Sequence, residues 1–127
     1  MGPISEGGCQ CGAIRYQATA KPTASMICHC QTCRRTSGAP AVAWVTYSKT
    51  DFRFVLGAPS QFHSSAPVRR TFCGSCGTPL TYDHSDFPAT LDVTTCTLDD
   101  TEALPPTPHP WLVHSHHMVP FGNGRPA

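Results

Sequence analysis

The chain has 127 residues, a net charge of +1 with histidines neutral, 13 prolines and 10 glycines. That length suits one domain with a modest core that gains from a staple, so residues 1–127 are expected to form a single domain. The near-zero charge leaves no nucleic-acid footprint beyond a local anion patch open to Arg34-Arg35 and Arg69-Arg70, and no apolar run approaches the roughly 20 residues that span a bilayer, so neither nucleic acid nor a membrane is expected as a partner.

Residues 1–8 carry neither a basic n-region nor an apolar h-region, which leads to the expectation of a reducing, cytoplasmic setting. Cys9 and Cys11 come next, and residues two apart in a strand point to one face, so two sulphurs can aim at one point from consecutive pleats. Ile14, Tyr16 and Ala18 alternate with Arg15 and Gln17 as a half-buried strand does, but with the opposite parity to the cysteines, which places a bend near Gly12. Cys28-His29-Cys30-Gln31-Thr32-Cys33 packs three thiols into six residues, and a short helical turn over 32–36 should follow, ended by Gly38 and Pro40.

Further strands are expected at 42–47, 52–55, 69–72 and 90–93, all rich in β-branched or aromatic residues. With Gly and Pro spread throughout, long helices are improbable and the fold class is mostly β. Cys73-Gly74-Ser75-Cys76-Gly77 reads as a knuckle in which glycines permit the positive φ that turns both thiolates inward. Cys96 stands alone and is expected to be a small buried hydrophobe. Residues 105–110 (Pro-Pro-Thr-Pro-His-Pro) read as a polyproline-like connector, the histidines at 109, 114, 116 and 117 as solvent-facing, and 122–127 as a frayed tail.

A disulfide framework is the rival reading of eight cysteines, but a Cys-x-Cys bridge is strained. Metal fits the spacing better. Cys9, Cys11, Cys73 and Cys76 supply the four thiolates of a closed, structural zinc site, whereas Cys28, Cys30 and Cys33 supply three and leave a fourth position open, the layout of a catalytic metal. Two divalent ions add four charges and seven thiolates remove seven, bringing the net charge to about −2.

Other groups are assigned by local chemistry. His29, between two ligands, should point away from the metal and serve packing or support rather than ligation. Arg34 and Arg35 are open to two readings, gripping a substrate carboxylate or lying as solvated charge. Ser64 and Ser65 are expected to bond the backbone near a turn, and Asp99 and Asp100 to cap a helix or turn.

Gly7-Gly8-Cys9-Gln10-Cys11-Gly12, Cys28-His29-Cys30-Gln31-Thr32-Cys33-Arg34-Arg35-Thr36-Ser37-Gly38 and Phe72-Cys73-Gly74-Ser75-Cys76-Gly77-Thr78-Pro79-Leu80, with Phe54-x-x-Gly57, Ser64-Ser65, Arg70 and Leu98-Asp99-Asp100, resemble the glutathione-dependent formaldehyde-activating enzyme family over residues 7–100. The resemblance implies compact antiparallel sheets in a zinc-stapled β-tent. It also implies one structural zinc on Cys9, Cys11, Cys73 and Cys76, and one catalytic zinc on Cys28, Cys30 and Cys33. The implied activity is carbon–sulphur bond formation or cleavage on a small-molecule thiol, such as glutathione, with an aldehyde or a thiol adduct as partner; S-hydroxymethylglutathione is the example. A zinc-stabilised binding or chaperone-like module without catalysis is the alternative. Cycling of Cys28, Cys30 and Cys33 through a disulfide is a third.

Overall fold

The computed structural model describes residues 4–101, so the late histidines, the proline-rich stretch and the tail lie outside the described residues. Among the described residues nine strands run in chain order: β1 (Ser5–Gly8), β2 (Arg15–Ala18), β3 (Ala24–Cys28), β4 (Val42–Ser48), β5 (Phe52–Leu56), β6 (Ser60–Ser65), β7 (Val68–Phe72), β8 (Pro79–His84) and β9 (Thr90–Thr94). One helix, α1 (Gln31–Ser37), separates β3 from β4, and single 3-10 turns occupy Lys49–Asp51 and Thr95–Thr97. The mostly-β expectation holds.

The strands form two antiparallel sheets, a three-stranded one in the order β1-β2-β5 and a six-stranded one in the order β3-β4-β9-β8-β7-β6. Five strands stand where the alternation and β-branched runs place them, with ends shifted by a residue or two. The other four, β1, β3, β6 and β8, are weak in propensity. β1 is Ser-Glu-Gly-Gly, β6 is a polar edge strand, and β8 starts at Pro79, a first position where the missing N–H matters least.

β1 tolerates its glycines because it needs them. A Cβ on Gly7 would collide with the Tyr16 hydroxyl and the Thr97 carbonyl, so the close approach of β1 to β2 and to the Thr95–Thr97 turn requires a bare backbone. Gly7 also bridges to Leu98, which ties the small sheet to the chain just after the Thr95–Thr97 turn.

The two sheets share one core. Ile14, Tyr16 and Ala18 from the small sheet pack with Val45, Tyr47, Leu80 and Val93 from the large one, and Phe52, Phe54 and Leu91 close around them. Tyr16 is fully buried, its ring 5.1 Å from Phe52, its hydroxyl 2.6 Å from Thr97 Oγ1. Burial pushes that phenol above its ordinary pKa, so it stays neutral and hydrogen-bonded.

Candidate metal centres and active-site cavity

The four cysteines expected to act together do meet. Cys9 and Cys11 lie in the turn joining β1 to β2, not on consecutive pleats of a strand, and Cys73 and Cys76 lie in the turn joining β7 to β8. The two turns are built alike. Gly12 follows Cys11 with φ 82° and donates its N–H to the Cys9 carbonyl at 3.2 Å; Gly77 follows Cys76 with φ 83° and donates to the Cys73 carbonyl at 2.8 Å. Gly74 does not adopt a positive φ; it is small because Ser60 Oγ lies where a Cβ would go.

Each turn aims backbone N–H groups at its first sulphur. Ile14 donates to Cys9 Sγ at 3.2 Å, and Ser75 and Cys76 both donate to Cys73 Sγ at 3.4 Å. Such donors stabilise a thiolate. Cys9 to Cys11 and Cys11 to Cys73 are each separated by 3.7 Å between sulphurs, and all four sulphurs fall within 4.8 Å of one another. A tetrahedral zinc with bonds of about 2.3 Å sets its sulphurs about 3.8 Å apart, so this donor set suits such an ion.

Charge is uneven within the quartet. The hydroxyl and amide of Thr78 bring Cys76 down to about 5. The Ala13 amide lowers Cys11, but the Cys9 and Cys76 sulphurs outweigh it and push Cys11 up to about 11. Four thiolates this close repel unless a cation sits among them.

The trio also converges, with its three sulphurs within 4.8 Å of one another. Cys28 ends β3 and Cys30 follows in extended backbone, so both project to one side, while His29 between them is fully buried and is not one of the clustered donors. Cys30 then caps α1: its sulphur accepts from the Cys33 N–H at 3.4 Å, and Cys33, buried, stands one turn along the helix. The helix closes at Gly38, φ 71°, as the Gly-Pro punctuation indicates.

Arg70 is the group that the sequence misplaces. Its neighbour Arg69 pairs with Asp83 at 3.0 Å, but Arg70 turns inward, only 8% exposed, and no anion patch forms from the two together. Arg70 donates through Nη2 to Cys33 Sγ at 3.7 Å, through Nη1 to Thr36 Oγ1 at 3.2 Å and through Nε to Ser64 Oγ at 2.9 Å, and its guanidinium lies 5.0 Å from the centre of the Tyr82 ring. A hydrogen bond from Cys28, partly opposed by burial and reinforced by Arg70, lowers Cys33 to about 5. The same contact with Cys33, joined by burial, pushes Cys28 up. Between these two, Cys33 is held toward the thiolate and Cys28 toward the thiol.

A cavity of about 420 Å³ opens in front of the trio, and besides Cys28, Cys30 and Cys33 it is lined by Ser64, Arg70, Tyr82 and Asp92. A larger one of about 730 Å³ adjoins it through the shared Thr32, Trp44, Ser64 and Arg70, and carries Arg35 on its wall. Ser64 thus serves Arg70 rather than the backbone. The Asp99 carboxylate is paired with Arg15 through both terminal guanidinium nitrogens, and the segment that Asp99 and Asp100 would cap runs outside the described residues. Cys96 is exposed on the 3-10 turn after β9, not buried, because the turn rather than the strand carries it.

Comparison with known proteins places this arrangement. An uncharacterized lyase of Schizosaccharomyces pombe is 31% identical over 84 residues, 66% of this chain; the match spans 61% of that protein's length. The crystal structure of a Rhodobacter sphaeroides protein superposes with a TM-score of 0.61 at 25% identity, covering 74% of this chain and 87% of that one. The sequence profile of the glutathione-dependent formaldehyde-activating enzymes matches residues 4–114, which takes in both cysteine clusters and every strand described above, and the chain belongs to that family.

Proposed function

We propose that the protein is a zinc-dependent carbon–sulphur lyase or synthase that makes or breaks a bond between a small-molecule thiol and an aldehyde carbon, with glutathione and formaldehyde as the first pair to test. The observation that carries this reading is the open set of three sulphurs on the wall of a cavity, in a chain of this family. A protein that needed metal only as a staple would have no use for the second set. The named lyase of fission yeast supports the same class of reaction. In this reading Cys9, Cys11, Cys73 and Cys76 hold a structural zinc and Cys28, Cys30 and Cys33 hold the zinc at which chemistry occurs, within a single domain working in a reducing cytoplasm.

When bound at the trio, zinc supplies a Lewis-acid position that lets a thiol lose its proton near neutral pH. The rest falls to this chain's own side chains. Arg70 neutralises the Cys33 thiolate and holds it toward the cavity, and Ser64 and Thr36 fix Arg70 from two sides. The Cys33 amide holds Cys30. Trp44 and Tyr82, 6.0 Å apart, wall the cavity with aromatic surface that excludes water from a bound thiol and aldehyde. Arg35, exposed on the adjoining cavity, offers a fork for a substrate carboxylate.

The test has two parts on one preparation: zinc per chain by elemental analysis, and the rate of interconversion of glutathione, formaldehyde and S-hydroxymethylglutathione by NMR exchange. Two zincs with exchange faster than the uncatalysed reaction are expected. One zinc and no acceleration with this or a simpler thiol would reduce the protein to a zinc-stapled scaffold.

A further inference from the structure

Adduct formation leaves a proton to be moved. As the thiol sulphur bonds the aldehyde carbon, the carbonyl π pair goes to oxygen, and the proton that the thiol gave up must end on that oxygen. None of the cysteines does this if all three hold metal, and Arg70 is committed to Cys33, Thr36 and Ser64.

The strand register puts a carboxyl where one is needed. Thr46, Asp92, Tyr82 and Arg70 stand directly opposite one another in β4, β9, β8 and β7. Residues opposite one another in neighbouring strands project to the same face, so these four make one polar row across the large sheet. Arg70 ends that row at Cys33, and Asp92 lines the same cavity as the three cysteines. One Asp92 oxygen, Oδ1, is held by the Thr46 hydroxyl at 2.6 Å.

We propose that Asp92 is the proton carrier of the reaction assigned above: its carboxylate takes the proton released by the thiol and delivers it to the oxygen that becomes the hydroxyl of the adduct. In the reverse direction it takes the hydroxyl proton as the carbon–sulphur bond breaks and returns it to the leaving thiol. One bond forms, one π pair moves, one proton passes from sulphur to oxygen, and no outside oxidant or reductant is used.

The surroundings suit the role. Burial raises Asp92 above the ordinary carboxyl range, the Thr46 hydrogen bond lowers it and the negative Cys33 raises it further. The titratable and charged groups that share its cavity are Tyr82 and His84 on β8, Arg70 on β7, Cys28 at the end of β3, and Cys30 and Cys33 at the start of α1. A carboxyl raised toward the working pH is a stronger base than a surface one and is more often protonated there, so it can take up a proton and then hand it on.

The inference rests on the proposed reaction, and the experiment separates the two. Wild type, Asp92→Asn and Thr46→Val are compared for zinc content, for glutathione binding by calorimetry and for NMR exchange between pH 5 and 9. Wild type without acceleration would overturn the reaction itself. With wild type active, Asp92→Asn is expected to keep both zincs and thiol binding and to lose about 100-fold or more of the catalysed exchange, along with the acidic limb of the pH profile. Thr46→Val is expected to stay active with that limb moved to higher pH, because the ionised carboxylate loses a donor. Asp92→Asn with wild-type rate and profile, or an acidic limb unmoved in Thr46→Val, would overturn the role of Asp92.

Discussion

At the scale of single residues, the arrangement of Arg70 explains why the trio can hold charge. A buried guanidinium is costly unless its donors are matched, and here each of its three nitrogens has a named acceptor, one of them the Cys33 sulphur. Arg70→Met keeps much of the volume and removes the charge. It is expected to weaken the metal affinity of the trio by about 10- to 100-fold, the usual consequence of deleting a group that orients a ligand, while the quartet keeps its metal. Competition with a graded chelator, read as two separate release steps, checks this; a single unchanged release curve would show that Arg70 is only packing. Tyr16→Phe is a milder change. It removes the bond to Thr97, which retains Thr94 as a partner, so a loss of about 1 kcal/mol in urea unfolding is expected.

The trio was legible in the sequence because its spacing is local: Cys28 and Cys30 share a side of one extended segment, and Cys30 and Cys33 are joined by one helical cap. The quartet, split over 62 residues, was legible because each half is a close cysteine pair and two such pairs complete a set of four thiolates. Arg70 and Asp92 were not, because Asp92 lies 22 residues from Arg70 and they come into one row only through the register of β7, β8 and β9. Alternation reveals which face a residue takes, but not which residue of another strand stands beside it.

At the scale of elements, β1 carries the same lesson in reverse. Its glycines make it look like a loop, yet Gly7 is the residue that lets the strand lie against Tyr16 and the Thr95–Thr97 turn. Two glycine substitutions separate space from backbone conformation. Gly7→Ala is expected to cost about 1–3 kcal/mol by overpacking, since the added methyl meets a hydroxyl and a carbonyl that cannot retreat together. Gly38→Ala, with open space around it and φ 71°, should cost about 1 kcal/mol from left-handed strain alone. Thermal melts of the two variants under equal metal check the difference. Equal losses would mean that β1 shifts away from Tyr16 at little cost.

At the scale of the whole molecule, the quartet occupies the junction of the two sheets. Cys9 and Cys11 come from the β1–β2 turn of the small sheet, Cys73 and Cys76 from the β7–β8 turn of the large one, and Cys9 and Cys73 are also part of the core. A metal held there would close a loop of some 62 residues between Cys11 and Cys73, and would fix one sheet against the other. The trio has no such position: Cys28, Cys30 and Cys33 belong to one continuous segment of β3 and α1, so metal bound to them constrains little chain. The two sets should therefore differ in what their loss does. Cys76→Ser is expected to cost more than about 4 kcal/mol, much of the roughly 5–15 kcal/mol that stabilises a domain, and to leave protein that melts near ambient temperature or does not fold. Cys30→Ser should keep a cooperative melt within a few degrees of wild type, because α1 loses only a sulphur cap that serine replaces with oxygen, and should lose the catalysed exchange. Melting curves of both variants, recorded with and without chelator, decide the matter. If Cys30→Ser collapsed while Cys76→Ser melted normally, the closed and open sites would have exchanged roles.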